Sequence, residues 1–298
     1  MSGAHENAAE RERAITEEVL AAFSATPDPR LRAIMRSLIG HLHAFAREVR
    51  LTDREWQTAI AFLTRAGHLT DERRQEFILL SDVLGLSMLT VALNAPDTPG
   101  ATEATVLGPF FVDDAPEIPL GGDLAQGAPG TPCHVSGRIR STDGSPVGGA
   151  LLDVWGADED GLYDVQYPGE HCAGRGRLRA DPDGGFRFWT VLPTPYPIPH
   201  DGPAGDLLTA CGRGPMRPAH LHFKVTAPGH RTLITHLFVA GDPHLDRDAV
   251  FGVRDSLVVE AEHHEGGTAP DGSQPRGAWA SMTHDLVLAP DHGSAPGR

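Results

Sequence analysis

Between Ile15 and Asn94 apolar residues recur three and four positions apart, as in Leu31, Ile34, Met35, Leu38 and Leu42, with good helix formers between them. The spacing predicts four helices. Pro27-Asp28-Pro29 separates the first from the second, and Thr52-Asp53 before Trp56 and Thr70-Asp71 before Phe77 read as N-caps. The last helix, near Asp71 to Leu93, carries the run Phe77-Ile78-Leu79-Leu80, then Val83-Leu84 and Met88-Leu89, a surface expected to bury against the rest of the chain or a second subunit. After Pro96-Asp97-Thr98-Pro99-Gly100 the texture changes. From Val106 to about Pro290 short β-rich runs alternate with Gly, Pro and Asp clusters, the signature of an all-β sandwich. The candidate strands are Cys133 to Arg140, Leu151 to Trp155, Phe186 to Val191, His220 to Thr226, Leu233 to Ala240, Ser256 to Glu260 and Met282 to Leu288. Thr142-Asp143-Gly144 and Pro182-Asp183-Gly184-Gly185 supply tight turns. The expected class is therefore α+β, with a helical N-terminal domain over 1–103, an all-β sandwich over 104–290 and a small, polar, disordered tail over 291–298.

Charge narrows the partners. Lys and Arg number 25 against 40 Asp and Glu, a formal −15, and Lys224 is the single lysine. So acidic a chain repels phosphate backbones and anionic membrane surfaces, whereas a neutral phenol meets no such barrier. No stretch approaches the roughly 18 apolar residues of a membrane span, and Met1 to Arg13 lacks the apolar segment of a secretory signal. Cys133, Cys172 and Cys211 are odd in number and far apart, which argues against a disulfide framework or a thiolate zinc site and for a reducing cytoplasm.

Candidate chemistry begins in Arg217-Pro218-Ala219-His220-Leu221-His222-Phe223-Lys224-Val225. Strand alternation puts His220 and His222 on one face and Leu221, Phe223 and Val225 on the other, so the two imidazoles can chelate one metal. A chain with 16 histidines also produces this spacing by chance. No third histidine stands at a short spacing from the pair, so further ligands must come from elsewhere. Of only three tyrosines, two stand in turn-rich loops: Tyr163 in Asp160-Gly161-Leu162-Tyr163-Asp164, and Tyr196 in Pro193-Thr194-Pro195-Tyr196-Pro197-Ile198-Pro199. Prolines stiffen the second loop and aim its side chain. A packed aromatic capping the sandwich is the alternative for either. Phenolate is a hard donor whose pKa near 10 a trivalent cation lowers readily, and imidazole suits iron, so two tyrosines with two histidines point to Fe(III).

These residues resemble the intradiol ring-cleaving dioxygenases from Val106 to about Val258. The pieces are Leu107-Gly108-Pro109-Phe110, Asp153-Val154-Trp155, Arg217-Pro218-Ala219-His220-Leu221-His222 and Ala240-Gly241-Asp242-Pro243. The proline-braced run from Pro193 through Pro203 looks like the hydroxyquinol 1,2-dioxygenase branch, and Leu80-Ser81-Asp82 with Leu84-Gly85-Leu86-Ser87-Met88 extends the match into the helices. The resemblance implies that Tyr163, Tyr196, His220 and His222 hold Fe(III). It implies that Tyr196 leaves the metal to help take up the phenolic protons of a small aromatic diol, which O2 then opens between its two hydroxylated carbons. Arg217 matches the family arginine that stabilises charge on the reacting carbon; a surface ion pair is its alternative.

By the same resemblance Leu79, Val106, Gly108, Pro109 and Phe110 line one part of the pocket, and Ile198, Pro199 and Val250 another. His236 stands where the catechol-cleaving branch carries glutamine. A third ring hydroxyl requires a polar partner, for which Asp82 is the candidate, against a merely solvated or capping role. The family also implies a homodimer through the helical segment, with lipid bound there. Catechol or chlorocatechol cleavage, a metal-free β-sandwich binding module and a zinc hydrolase built on His220 and His222 are the competing readings.

Overall fold

The computed structural model describes residues 2–71, 74–95, 98–168 and 172–291. Helices α1 (Ser2–Ala22), α2 (Pro29–Glu48), α3 (Asp53–Leu69), α4 (Glu76–Val83) and α5 (Leu86–Asn94) come first. They are followed by β1 (Pro132–Ser141), β2 (Leu151–Gly156), β3 (Arg175–Arg179), β4 (Gly185–Val191), β5 (Tyr196–Pro197), α6 (Pro203–Ala210), β6 (Met216–Arg217), β7 (His220–Thr226), β8 (Leu233–Val239), β9 (Val258–Val259), β10 (Glu262–His264), β11 (Trp279–Thr283) and β12 (Leu286–Leu288). The fold is α+β as expected. The chain divides into compact units at residues 1–64 and 65–298, so α4 and α5 belong with the sandwich. The tail expected to be disordered lies, from residue 292 on, outside the described residues.

In the first unit Asp28 caps α2 by accepting from the Leu31 N–H at 2.8 Å, with Pro29 in the first turn where its missing N–H costs nothing. Thr52 and Glu55 form a reciprocal capping box at the start of α3. Polar side chains stitch α1 to α2: Arg47 donates to Thr16 Oγ1 at 2.6 Å and Arg50 pairs with Glu12. The apolar stripe of α2, from Leu31 through Ile34, Leu38 and Leu42 to Phe45, is exposed in the single chain.

The second unit packs two five-stranded sheets, one ordered β10-β11-β1-β12 with β4 also on β1, the other β3-β2-β7-β8-β9. Leu152, Val154, Leu221, Phe223 and Val225 of one sheet meet Val135, Ile139, Phe186, Phe188 and Met282 of the other in a closed core. Strand β7 spans the residues expected, and both its faces are buried, the core on one side and the histidines on the other.

Four expectations need correction. The single last helix is two, bent by 78° at Gly85, whose φ of +73° a continuing helix cannot use. The first of the two starts at Glu76, and Asp71 instead accepts from the Arg74 N–H in the preceding turn. Ser256 to Glu260 is mostly a 3-10 turn at Asp255–Leu257 leading into two strand residues, and Met282 to Leu288 is broken between β11 and β12 by His284-Asp285. Helix α6, for which the sequence reading has no counterpart, begins at Pro203, a favoured first helical position.

Candidate active site

The site grows from register. Trp155 of β2, His222 of β7 and His236 of β8 are direct cross-strand partners, so their rings stand in one row on one face. Trp155 stacks on His222 at 4.7 Å and 14°, and His236 meets the other side of His222 edge-on at 4.2 Å. His220 is aimed by its Nδ1–H, which donates to the Pro218 carbonyl at 2.7 Å and leaves the Nε2 lone pair facing inward.

Two loops bring the tyrosines to that row. Asp158 accepts from the N–H groups of Asp160 and Leu162, forming the turn that delivers Tyr163, whose ring stacks on Phe110 at 4.5 Å. Tyr196 sits in β5, paired with β6, and packs so closely on the first loop that a Cβ on Gly161 would lie 2.9 Å from its own Cβ. Gly108, at φ +77°, likewise leaves only 3.1 Å between a hypothetical Cβ and His222 Cε1.

The polar atoms converge. Tyr163 donates to Tyr196 Oη at 3.1 Å and lies 2.9 Å from His222 Nε2, which is 3.1 Å from His220 Nε2. Arg217 Nη1 donates to His220 Nε2 at 3.0 Å, while its Nε and Nη2 hold the buried carboxylate of Asp248 at 3.0 and 3.4 Å. Burial opposes charge on Arg217, but Asp248 and the tyrosine oxygens outweigh it and hold its pKa up. Burial and the nearby cation lower His220 to about 3, and burial with neighbouring rings holds His222 and His236 well below the ordinary histidine value. All three imidazoles are thus neutral at pH 7, as metal ligands must be. Burial and Tyr196 raise the Tyr163 phenol well above its usual range, so only a strongly charged cation makes it a phenolate here.

This donor set suits iron. Two phenols and two neutral imidazoles without a carboxylate are unlike the usual sets for Zn(II), Ca(II) or Mg(II). The imidazoles of His220, His222 and His236 also bring nitrogens within 4.8 Å of one another. Arg217 lies close to two of these rings, 3.0 Å from His220 Nε2 and 3.5 Å from His236 Nδ1, so its charge does not decide between them.

The expected pocket residues gather beside these groups. Leu79, Val106, Ile198 and Val250 share one buried cluster with Val83, Met88 and Ala249, and Phe110 packs with Trp155 and both tyrosines. Pro109 and Pro199 are half-buried next to Phe110 and Ile198. Asp82 is buried and hydrogen-bonded to Ser87; desolvation raises its pKa against the opposing pull of Ser87 and Arg217. Three supports escaped the sequence. Asp248 anchors Arg217, and Arg175 binds Asp164, the residue after Tyr163, while donating to the Phe110 carbonyl at 3.0 Å. An arginine in the charged stretch Arg175-Gly176-Arg177-Leu178-Arg179 gives no sign that it is buried.

Known proteins match this architecture. A dioxygenase family model covers residues 106–290, and a model of the catechol dioxygenase N terminus covers 28–102. The chain is 59% identical to a hydroxyquinol 1,2-dioxygenase of Nocardioides simplex across 94% of this chain and 96% of that protein. It is 55% identical to a 6-chlorohydroxyquinol 1,2-dioxygenase of Cupriavidus pinatubonensis, covering 85% and 92%. A crystal structure of hydroxyquinol 1,2-dioxygenase from Pseudomonas putida DLL-E4 superposes with a TM-score of 0.88 at 44% identity, over 94% of this chain and 99% of that one. With both family models in order along the sequence and this identity over nearly its full length, the chain belongs to the intradiol ring-cleavage dioxygenases, in the hydroxyquinol 1,2-dioxygenase branch.

Proposed function

We propose that this chain cleaves hydroxyquinol (1,2,4-trihydroxybenzene) with O2 to 3-hydroxy-cis,cis-muconate, a tautomer of maleylacetate, as an Fe(III)-dependent intradiol dioxygenase. The observation that carries the reading is identity of 54–59% to three hydroxyquinol 1,2-dioxygenases over 94% of the chain. Tyr163, Tyr196, His220 and His222 would hold the iron. When bound, Fe(III) supplies Lewis acidity and an electron-accepting centre to a chelated diol.

The protein's own groups do the rest. Tyr163, stacked on Phe110, stays in place; Tyr196 accepts a phenolic proton as the diol binds. Arg217, kept charged by Asp248, stabilises negative charge developing on the reacting carbon and its oxygens. Trp155 and Phe110 exclude water around the donor atoms, and Leu79, Val106, Gly108, Pro109, Ile198, Pro199 and Val250 shape an apolar slot for the ring. Asp82 receives the third hydroxyl, whose burial without a partner would cost roughly 1–3 kcal/mol. His236 closes the polar side of the slot between Arg217 and His222.

Among the described residues no single helix is long and apolar enough to cross a membrane. The exposed apolar stripe of α2 supports a homodimer formed through the helical segment 1–103, with lipid in its interface. Oxygen uptake with hydroxyquinol, catechol and chlorocatechols, alongside iron analysis, tests the reading. Fastest turnover of hydroxyquinol is expected; preference for catechol or a chlorocatechol would reassign the substrate, and a colourless, iron-free protein that binds diols without consuming O2 would overturn the enzyme.

A further inference from the structure

We propose that Arg213, which lies outside the substrate slot, is a positioning residue that sets substrate selectivity by tying two walls of the slot together. The inference rests on the hydroxyquinol reading of that slot. One wall is α4, which carries Leu79 and Asp82 and ends at Val83. Carbonyls in the last turn of a helix have no intrahelical donor, and the Val83 carbonyl takes one from Arg213 Nη1 at 2.6 Å. The other wall is the loop carrying Val250. Its preceding carbonyl, Ala249 O, accepts from Arg213 Nη2 at 3.0 Å. A single planar fork thus bonds both walls at once.

The Ala249 N–H is tied to the Met216 carbonyl of β6 at 3.1 Å and Arg254 donates to the Phe251 carbonyl at 3.2 Å, but neither of these bonds reaches α4. Phe251 follows Val250 with φ +60°, in the left-handed region that non-glycine residues seldom occupy, and its ring is half exposed. The Arg213 guanidinium lies 4.5 Å from the centre of that ring, which in turn reaches the bend at Gly85 between α4 and α5. A cavity of about 660 Å³ lined by Arg213, Met216, Asp248 and Phe251 gives the loop room to shift once the fork is gone. On the inner side Asp248 accepts from the Val250 and Gly252 N–H groups while holding Arg217, so the inner anchor survives loss of the outer one. Arg213 has no hydrogen bond to the tyrosines, the paired histidines or Arg217. Its loss should move Asp82 relative to Val250 and leave the donor cluster alone.

The test uses the iron-loaded, full-length protein with Arg213→Met and Arg213→Lys. Steady-state kinetics on hydroxyquinol and catechol are paired with anaerobic titration of each diol, followed by the visible spectrum, to obtain Kd. For Arg213→Met, KM and Kd for hydroxyquinol are expected to rise about tenfold, the effect of one lost hydrogen bond, and those for catechol, which lacks the third hydroxyl, to rise much less. Its kcat, iron content and resting spectrum stay as in the parent. Arg213→Lys, with one ammonium for two carbonyls, falls between. Unchanged hydroxyquinol Kd in both variants overturns the clamp, as do equal losses on the two diols or a fall in melting temperature without a change in their ratio. Failure of the parent protein to bind hydroxyquinol would instead overturn the substrate reading.

Discussion

Tyr196 and Arg217 are direct partners across the two-residue ladder of β5 and β6. The residue assigned to take a proton and the residue assigned to stabilise the resulting charge therefore share one piece of backbone. The Tyr196 phenol can swing about its side-chain torsions while its main chain stays registered with the arginine. The prolines at 195, 197 and 199 stiffen the same loop.

Replacing Tyr163 with Phe removes a donor 2.9 Å from His222 Nε2. The purified variant should lose most of its long-wavelength visible absorption per iron, because that band arises from phenolate-to-iron charge transfer. An absorption spectrum indistinguishable from the parent's would remove Tyr163 from the ligand set.

Asp82→Ala should lower kcat/KM for hydroxyquinol by about tenfold or more, the scale of an unpaired buried hydroxyl, and lower it far less for catechol. Parallel assays on the two diols decide the matter. Equal losses would reduce Asp82 to a structural role beside Ser87.

Asp248→Ala leaves the Arg217 guanidinium buried without its carboxylate and frees the Val250 and Gly252 N–H groups. Breaking a buried pair on one side typically costs about 3–5 kcal/mol, measurable as a lower urea midpoint, and activity should fall with it. A variant as stable and active as the parent would show that Arg217 needs no such anchor.

The buried imidazoles make the iron-free protein acid-sensitive. Burial lowers His220 to about 3, and lowers His222 and His236 well below 6.5, whereas the unfolded chain takes up these protons near pH 6.5. Below that pH the unfolded state binds more protons, so stability should fall as pH drops from about 6.5 towards 3, by up to about 1.4 kcal/mol per pH unit for each imidazole. Urea unfolding of iron-free protein at pH 7 and pH 5 checks this; equal midpoints would mean that none of the three rings holds its proton off in the fold.

What could be read in advance was what alternation and turn chemistry encode locally. The limits of β7 follow from a run of alternating residues ending at a turn, and the inward face of His220 and His222 follows from the period of two. The bend at Gly85 was hidden because one glycine inside an apolar helical pattern carries no sign that it will take φ +73°. Strand β3 was missed because its arginines alternate as a solvated strand would, although Arg175 turns inward to Asp164. Asp248 and Arg213 are ordinary charged loop residues until the fold pairs the first with Arg217, 31 positions away, and sets the second against the carbonyls of Val83 and Ala249. Their roles belong to tertiary structure.

Gly108 has a consequence for how this pocket can diversify. Any side chain there would sit about 3.1 Å from the His222 ring and would have to adopt φ +77°, so the wall nearest the donor atoms is built of main chain. Mutation cannot readily resculpt that wall one side chain at a time. On the proposed slot, new substrate preferences would be found instead at Leu79, Asp82 and Val250, whose side chains are replaceable, and the chemistry of the donor cluster would be shielded while selectivity drifts.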